Sequence, residues 1–256
     1  HIEGPWISHT YRGAQPAHHI QPLSKSSIDA MRPFFNEINM ITLAPEEIKD
    51  LTILEHFKKQ NITISAGHTN ATMEDILSAM RYGLSQMTHT FNAMSPMHHR
   101  HPGAAAAALY DAKLHCEVIA DGLHVHPKMV ALLYKIKGFK KISLISDCTG
   151  YNHLTDGIYK VRGKKIHKKG HQVSLPNGSL AGSAMTLDQI VKYAVEHCQI
   201  PIEHAVYMVT TSPAQMIHTS SKVGRLAEGY QADITILNKD LTVQETIKKG
   251  RTVYRR

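Results

Sequence analysis

At 256 residues and 42% hydrophobic content, the chain can bury a sizeable core as one α/β barrel or as one to two domains. It holds no run of about 18 apolar residues, which excludes a membrane-spanning helix, and His1 to Trp6 does not read as a signal peptide. The net charge is +8, with Lys164, Lys165, Lys168 and Lys169 in one cluster and Lys248, Lys249, Arg251, Arg255 and Arg256 in another. These turn-like and terminal segments lack interleaved aromatics and match no nucleic-acid module, so they argue for a surface that attracts an anionic metabolite rather than for nucleic acid.

In chain order, His1-Ile2-Glu3-Gly4-Pro5 reads as the end of a strand whose first part lies upstream, followed by a polar loop to Gln21. A helix is expected over 26–36, with Ile28, Met31 and Phe35 facing the core. Residues 39–44 read as a strand closed by Pro45. Pro45-Glu46-Glu47 then opens a helix that carries Ile48, Leu51, Leu54 and Phe57 to about Gln60. The run Ile62 to Ala66 looks like a buried strand ending at Gly67-His68. Thr72 and Asp75 make a capping-box pattern, and Ile76, Leu77, Met80 and Leu84 give a helical stripe with Gly83 at the C-cap. A second short strand, 84–88, delivers His89. An alanine-rich helix (103–110), a strand (114–120), a helix (127–136) with Val130, Leu132 and Leu133 inward, and a strand (141–145) ending in Ser146-Asp147 follow. This alternation predicts a parallel barrel, with six strands visible, two short of eight.

The texture changes at Gly150. Segments around Gly157, Gly163, Gly170 and Asn177-Gly178 read as antiparallel hairpins over 156–183, and helices are expected over 185–198 and 202–217. The end is again β: 233–237, 243–247 and 252–254, with Lys249-Gly250 as a turn. The expected division is a barrel over 1–222 and the strands of a small β-module over 223–256. Cys116, Cys148 and Cys198 are odd in number and form no CxxC, which suits reduced thiols in the cytosol.

The strand ends bring Glu3, His68, His89, His124 and Asp147 to one rim if the sheet is a barrel. One carboxylate and two imidazoles make a divalent-metal site with an open position. A bound ion would acidify a water and polarise a carbonyl. An Asp on another strand would take the water's proton and hand it to a leaving amine. The set reads as metal-assisted hydrolysis of an amide or ester. Plainer roles remain for other residues: His98, His99 and His126 as solvated loop side chains, Cys148 as a small buried group, and Asp121-Gly122 as a turn.

The residues also carry a resemblance. HIEGPW (1–6), RGAQP (12–16), TLAPE (42–46), AGHTNAT (66–72), THTFNAMSPMHHR with PG (88–103), IADGLHVHP (119–127), LISD (144–147), NGSLAGS (177–183) and the closing G-LAEG-QADI-IL pattern (224–237) occur in order. In this the chain resembles the N-acetylglucosamine-6-phosphate deacetylases of the amidohydrolase superfamily. The resemblance implies a (β/α)8 TIM-like amidohydrolase barrel, its first two strands in a segment upstream of this chain, with a small C-terminal β-sandwich part. It implies Glu3, His68 and His89 as metal ligands and Asp147 as general base and acid. It gives phosphate binding to Asn92, Ala93 and Arg100, a sugar or amide contact to His124, and the substrate pocket to Ala14, Gln15, Ala181, Gly182 and Ser183. The implied cofactor is at least one divalent ion per subunit (zinc, iron, manganese or cobalt), the partner a phosphorylated amino sugar, and the assembly a cytoplasmic homodimer. Three departures stand out: Gln15 where some members have His, His101 where an acidic residue is common, and Cys148-Thr149-Gly150-Tyr151 after Asp147. Two alternatives stay open: the galacto epimer as substrate, and a catalytically dead sugar-phosphate binder.

Overall fold

Six short strands form the spine of the computed structural model, which describes residues 1–161 and 163–256. They are β1 (Ile2–Glu3), β2 (Met40–Leu43), β3 (Thr63–Ala66), β4 (Leu84–Met87), β5 (His115–Ile119) and β6 (Ile142–Ile145). They lie side by side in sequence order, and every neighbouring pair is parallel. Parallel crossovers are right-handed, so an order that never reverses sends every crossover to the same face. The helices there are α1 (Lys25–Met31), α2 (Glu55–Lys59), α3 (Met73–Arg81), α4 (Ala104–Tyr110) and α5 (Pro127–Lys137). A sheet covered on one side by helices and curled on the other is the TIM-like α/β arrangement.

The register sorts side chains by chemistry. Glu3 pairs with Thr42, Thr42 with Ser65, Ser65 with Gln86, Gln86 with His115, and Glu117 with Ser143, so one face is polar. The alternate positions Ile41, Ile64, Met87, Cys116 and Ile142 are each 0% exposed. With Phe57, Ile76, Ala107 and Leu133 they make the helix-side core. Burial of that many large aliphatic side chains, at about 1.5–3 kcal/mol each, is what holds strands this short in place.

Beyond β6 lie an antiparallel sheet of β7 (Gly157–Val161), β8 (Lys164–Lys169), β9 (Gln172–Ser174) and β10 (Leu180–Ser183), then α6 (Leu187–His197), α7 (Ile202–Val209) and α8 (Thr211–Met216). A last antiparallel sheet holds β11 (Ile234–Leu237), β12 (Val243–Lys248) and β13 (Arg251–Arg255). Lys249 and Gly250 both have positive φ, 49° and 77°, and link β12 to β13 in the two-residue turn that matches strand twist. Among the described residues no helix is long and apolar enough to cross a membrane.

Several expectations are corrected. The helix expected from Pro45 to Gln60 is broken: Ile48 is extended, and Asp50 restarts the chain by accepting the Thr52 N–H on its side chain. The helix expected over 202–217 divides at Thr210, because Pro213 has no N–H for the Val209 carbonyl and its ring crowds that oxygen. Leu132 is 38% exposed, while Val130 and Leu133 face the core as expected. The lysine cluster 164–169 is strand β8, where Ile166 and Lys168 alternate inward.

Candidate functional site

The carboxyl ends of β1, β3, β4 and β6 present Glu3, His68, His89 and Asp147. Each of the last three has left-handed φ: His68 48°, His89 33° and Asp147 46°. Such a conformation costs a non-glycine residue about 1–3 kcal/mol and persists only where its surroundings enforce it. Here hydrogen bonds between neighbouring strand ends do so. Ser8 N–H donates to the His68 carbonyl at 2.8 Å, Thr90 N–H to the Glu117 carbonyl at 2.8 Å, and Ser183 N–H to the Asp147 carbonyl at 2.9 Å. The loops after β3 and β4 are bound together at Thr69 and Met94, where Thr69 N–H reaches the Ala93 carbonyl at 3.1 Å. Gly67 makes the approach feasible, since a Cβ there would sit 2.8 Å from both Thr42 and Thr88 side chains.

Glu3, His68 and His89 converge, with their ligand atoms all within 4.8 Å of one another. Glu3 Oε1 lies 2.8 Å from His68 Nε2 and 3.2 Å from His89 Nε2, and the two Nε2 atoms are 3.2 Å apart. The other ring nitrogens are committed: His68 Nδ1 faces the Tyr11 carbonyl at 2.8 Å and His89 Nδ1 the Asn92 carbonyl at 3.2 Å. A carbonyl only accepts, so each Nδ1 carries the proton and each Nε2 turns a lone pair toward the same point. Two buried lone pairs and a carboxylate at that spacing call for a cation between them. The electrostatics agree. Desolvation by the surrounding groups works to raise the Glu3 carboxyl, but the imidazoles of His68 and His89 hold it well below the usual range. Burial likewise disfavours charge on His89, yet Glu3 beside it raises its proton affinity. The donor set therefore fits a divalent ion of the nitrogen-and-oxygen-preferring kind.

A cavity of about 550 Å³ opens over these groups. Asp147, His124, Ala14 and Gln15 line it, as do Asn92, Ala93, Ala181 and Gly182. Gly182 has φ of 72° and its missing Cβ would sit 2.8 Å from the Asp147 carbonyl, so glycine lets β10 close against the Asp147 turn. Two expected pocket residues stand elsewhere. Ser183 is buried beneath the Asp147 turn, where its hydroxyl accepts from Met185 N–H at 2.9 Å. Arg100 is exposed on the loop before α4, with Nη1 2.8 Å from His99 Nε2, and does not line the cavity.

The sequence profile of the Amidohydrolase family matches residues 30–253. The chain belongs to the amidohydrolase family. Over 252 residues it is 36% identical to an N-acetylglucosamine-6-phosphate deacetylase of Lysinibacillus sphaericus, covering 98% of this chain and 65% of that protein. It is 31% identical to an N-acetylgalactosamine-6-phosphate deacetylase of Escherichia coli O157:H7, over 98% of this chain and 66% of the relative. The crystal structure of N-acetylglucosamine-6-phosphate deacetylase from Thermotoga maritima superposes with a TM-score of 0.93 at 33% identity, covering 100% of this chain and 69% of that one. The chain thus spans about two thirds of the length of the relatives it matches.

In this amidohydrolase the site is backed by carboxylates that sequence reading missed, two of them buried. Glu46, in the short turn Pro45–Glu47 after β2, accepts from the Thr69 hydroxyl and the Asn70 N–H, bracing the turn that holds His68. Glu117 in β5 is 8% exposed and accepts from Gln86 Nε2 at 2.6 Å. Burial pushes its carboxyl up to about 7. A glutamate inside the apolar strand HCEVI is a signal that could have found it. Asp121, read as a turn residue, has a side chain 0% exposed and binds His124. Desolvation by the surrounding groups, with repulsion from Glu3 and despite His89 and His124, raises the Asp147 carboxyl above its ordinary range, which suits a group that must take and return a proton.

Proposed function

We propose that this amidohydrolase carries the catalytic site of a deacetylase that hydrolyses the acetamide of N-acetyl-D-glucosamine 6-phosphate to D-glucosamine 6-phosphate and acetate. The observation that carries this is the convergence of Glu3, His68 and His89 on one point, in the same cavity as Asp147. Glu3 and the two Nε2 atoms would hold zinc, iron, manganese or cobalt, which when bound acidifies water and polarises a carbonyl. Asp147 takes the proton from the attacking water as the new C–O bond forms. It returns that proton to the amide nitrogen as the C–N bond breaks, so acetic acid and a neutral amine leave, and the acid gives up its proton to solvent as acetate. The cavity is large enough for a sugar phosphate, and the names of the relatives support that substrate class. Asn92 and Ala93 would receive the phosphate, with His124 turned to the sugar or amide.

No lysine or arginine stands among the described residues lining the cavity, although the proposed substrate is an anion. The exposed position of Arg100 supports a homodimer in which that side chain serves a second copy. Free thiols at all three cysteines support a cytoplasmic protein. The exposure of Val253 and Tyr254 on β13 supports a division at about residue 222, with β11 to β13 as one layer of a small sandwich. The galacto epimer is the second reading, because relatives of both kinds match at 31–36% identity.

The test is acetate release, after adding divalent ion, from the gluco and galacto 6-phosphates and from unphosphorylated N-acetylglucosamine. Release from the gluco phosphate above the other two is the expected result. Release from none of them, with metal bound, overturns the reading. Asp147→Asn should bind metal and release no acetate; turnover by that variant would remove Asp147 from the proton path.

A further inference from the structure

The turn after β5 is built more firmly than a turn requires. Asp121 Oδ1 accepts from the backbone N–H of Leu123 at 2.9 Å and of His124 at 2.8 Å. Its Oδ2 lies 2.7 Å from His124 Nδ1, and the carboxylate is 0% exposed. Gly122 between them has φ of 75°, and the ring of Tyr193 from α6 occupies the space where a Cβ would go, with Cζ at 2.6 Å. The turn is therefore clamped from outside by α6 and from inside by three hydrogen bonds to one carboxylate.

A carboxylate that serves two backbone donors with one oxygen has the other free for one more. It is acceptor-only, so the imidazole must bring the proton on Nδ1. Nε2 then remains as the ring's free nitrogen, on a side chain that lines the cavity. Burial works against charge on Asp121, but the His124 ring and the backbone N–H groups hold its carboxyl below the ordinary range, so the acceptor stays ionised.

We propose that Asp121 is a positioning residue: it holds the proton of the neutral His124 ring on Nδ1 and fixes the ring's orientation, so that Nε2 faces the substrate in one geometry. The inference rests on the deacetylase reading only for what His124 meets. Histidines depend on comparable carboxylate partners elsewhere, and losing such a partner costs about ten- to a hundredfold at metal ligands and about ten-thousandfold in a catalytic triad. Asp121→Asn keeps the shape and inverts the pattern. If its oxygen stays on the two backbone N–H groups, its amide NH2 faces Nδ1 and drives the ring proton to Nε2.

The experiment combines nitrogen NMR of imidazole-labelled, metal-loaded full chain with acetate-release kinetics of Asp121→Asn, His124→Gln and the double variant. The expected result is an Nδ1–H signal for His124 in the parent protein that moves to Nε2 in Asp121→Asn. Metal content should be unchanged, kcat/KM should fall about ten- to a hundredfold, and the double variant should be no worse than His124→Gln. Absence of the Nδ1–H signal in the parent overturns the proposal without any variant, which covers failure of Asp121→Asn to fold. An unchanged tautomer, full activity in Asp121→Asn, or additive losses in the double variant also overturn it. A parent that releases no acetate sinks the deacetylase reading instead, and the NMR result then decides the role of Asp121 alone.

Discussion

The two faces of the parallel sheet obey different rules. On the helix side, Ile41, Ile64, Met87, Cys116 and Ile142 are buried among helix residues, and any aliphatic group of similar volume would serve. On the other side, Thr42, Ser65 and Thr88 hydroxyls join within 2.7 Å, Gln86 meets Glu117, and His115 meets Ser143. Each of these groups has a specific partner, and the face leads upward to Glu3, His68 and His89. One face supplies cohesion that is tolerant of chemistry, whereas the other supplies chemistry at some cost in cohesion. The difference teaches that strain and buried charge gather where function is built, and that the packed face offsets them.

The sharpest way to break the comparison is to delete one residue from the packed face of a strand and one from the site at that strand's carboxyl end. His68→Ala, just past β3, should abolish metal binding and acetate release together, measured by metal analysis and the acetate assay. It should leave the unfolding midpoint of metal-free protein closer to the parent's than any deletion in the packed core does. Ile64→Ala, within β3 on the packed side, should cost about 2–5 kcal/mol in denaturant unfolding and leave kcat and metal content near the parent values. If Ile64→Ala lost metal at full folding, or His68→Ala unfolded the chain, the division between faces would fail.

How much of this was legible in the sequence follows the same division. The strands, the capping box at Thr72 and the trio Glu3, His68 and His89 were readable, because period and strand-end position are local signals. The breaks at Asp50 and Thr210 were not, although Asp50 and Pro213 stand in plain view; the apolar period across them suggested continuity that one side-chain hydrogen bond and one missing N–H undo. The resemblance groups Arg100 with Asn92 at the phosphate, but nothing in sequence spacing gives the direction of the loop that carries Arg100 away from the cavity. Ser183 was placed in the pocket by its motif, while its hydroxyl turns to its own backbone. The carboxylates behind the site were hidden because each acts on a residue near in space, and only Asp121 is also near in sequence.

A finer test lies within β5, where His115 and Glu117 share the polar face. Burial, helped by Lys141 and Lys137, lowers the His115 imidazole to about 3 from 6.5. Between those values the unfolded chain binds more protons, so this group makes stability rise with pH. Glu117 is raised by burial to about 7 from 4.5. In that window the folded chain binds more protons, so this group makes stability fall as pH rises. In metal-free parent protein the two slopes oppose each other wherever the windows overlap. Glu117→Gln should leave the His115 slope alone, with stability falling on acidification by at most about 1.4 kcal/mol per pH unit. His115→Gln should leave the opposite slope. Urea midpoints measured across pH 4–7 read both; slopes of the same sign in the two variants would show that one of these groups titrates normally.

The smallest effect belongs to an exposed cap that touches neither face yet joins both histidine-bearing strands. Thr72 Oγ1 accepts from Asp75 N–H at 3.2 Å, and Asp75 Oδ2 accepts from Thr72 N–H at 2.9 Å, closing the first turn of α3. Met73 N–H donates to the Pro102 carbonyl at 2.9 Å, so the same turn anchors the loop that runs from His89 to α4. Thr72→Ala removes the acceptor for Asp75 N–H at a solvent-exposed end and should cost about 1 kcal/mol. If the histidines are held by the interlocked strand ends, kcat/KM stays at the parent value despite that loss. A fall in kcat/KM larger than the loss in stability explains would mean that α3 itself sets the distance between His68 and His89, and the division between a packing face and a chemical face would then have to include the helix that joins them.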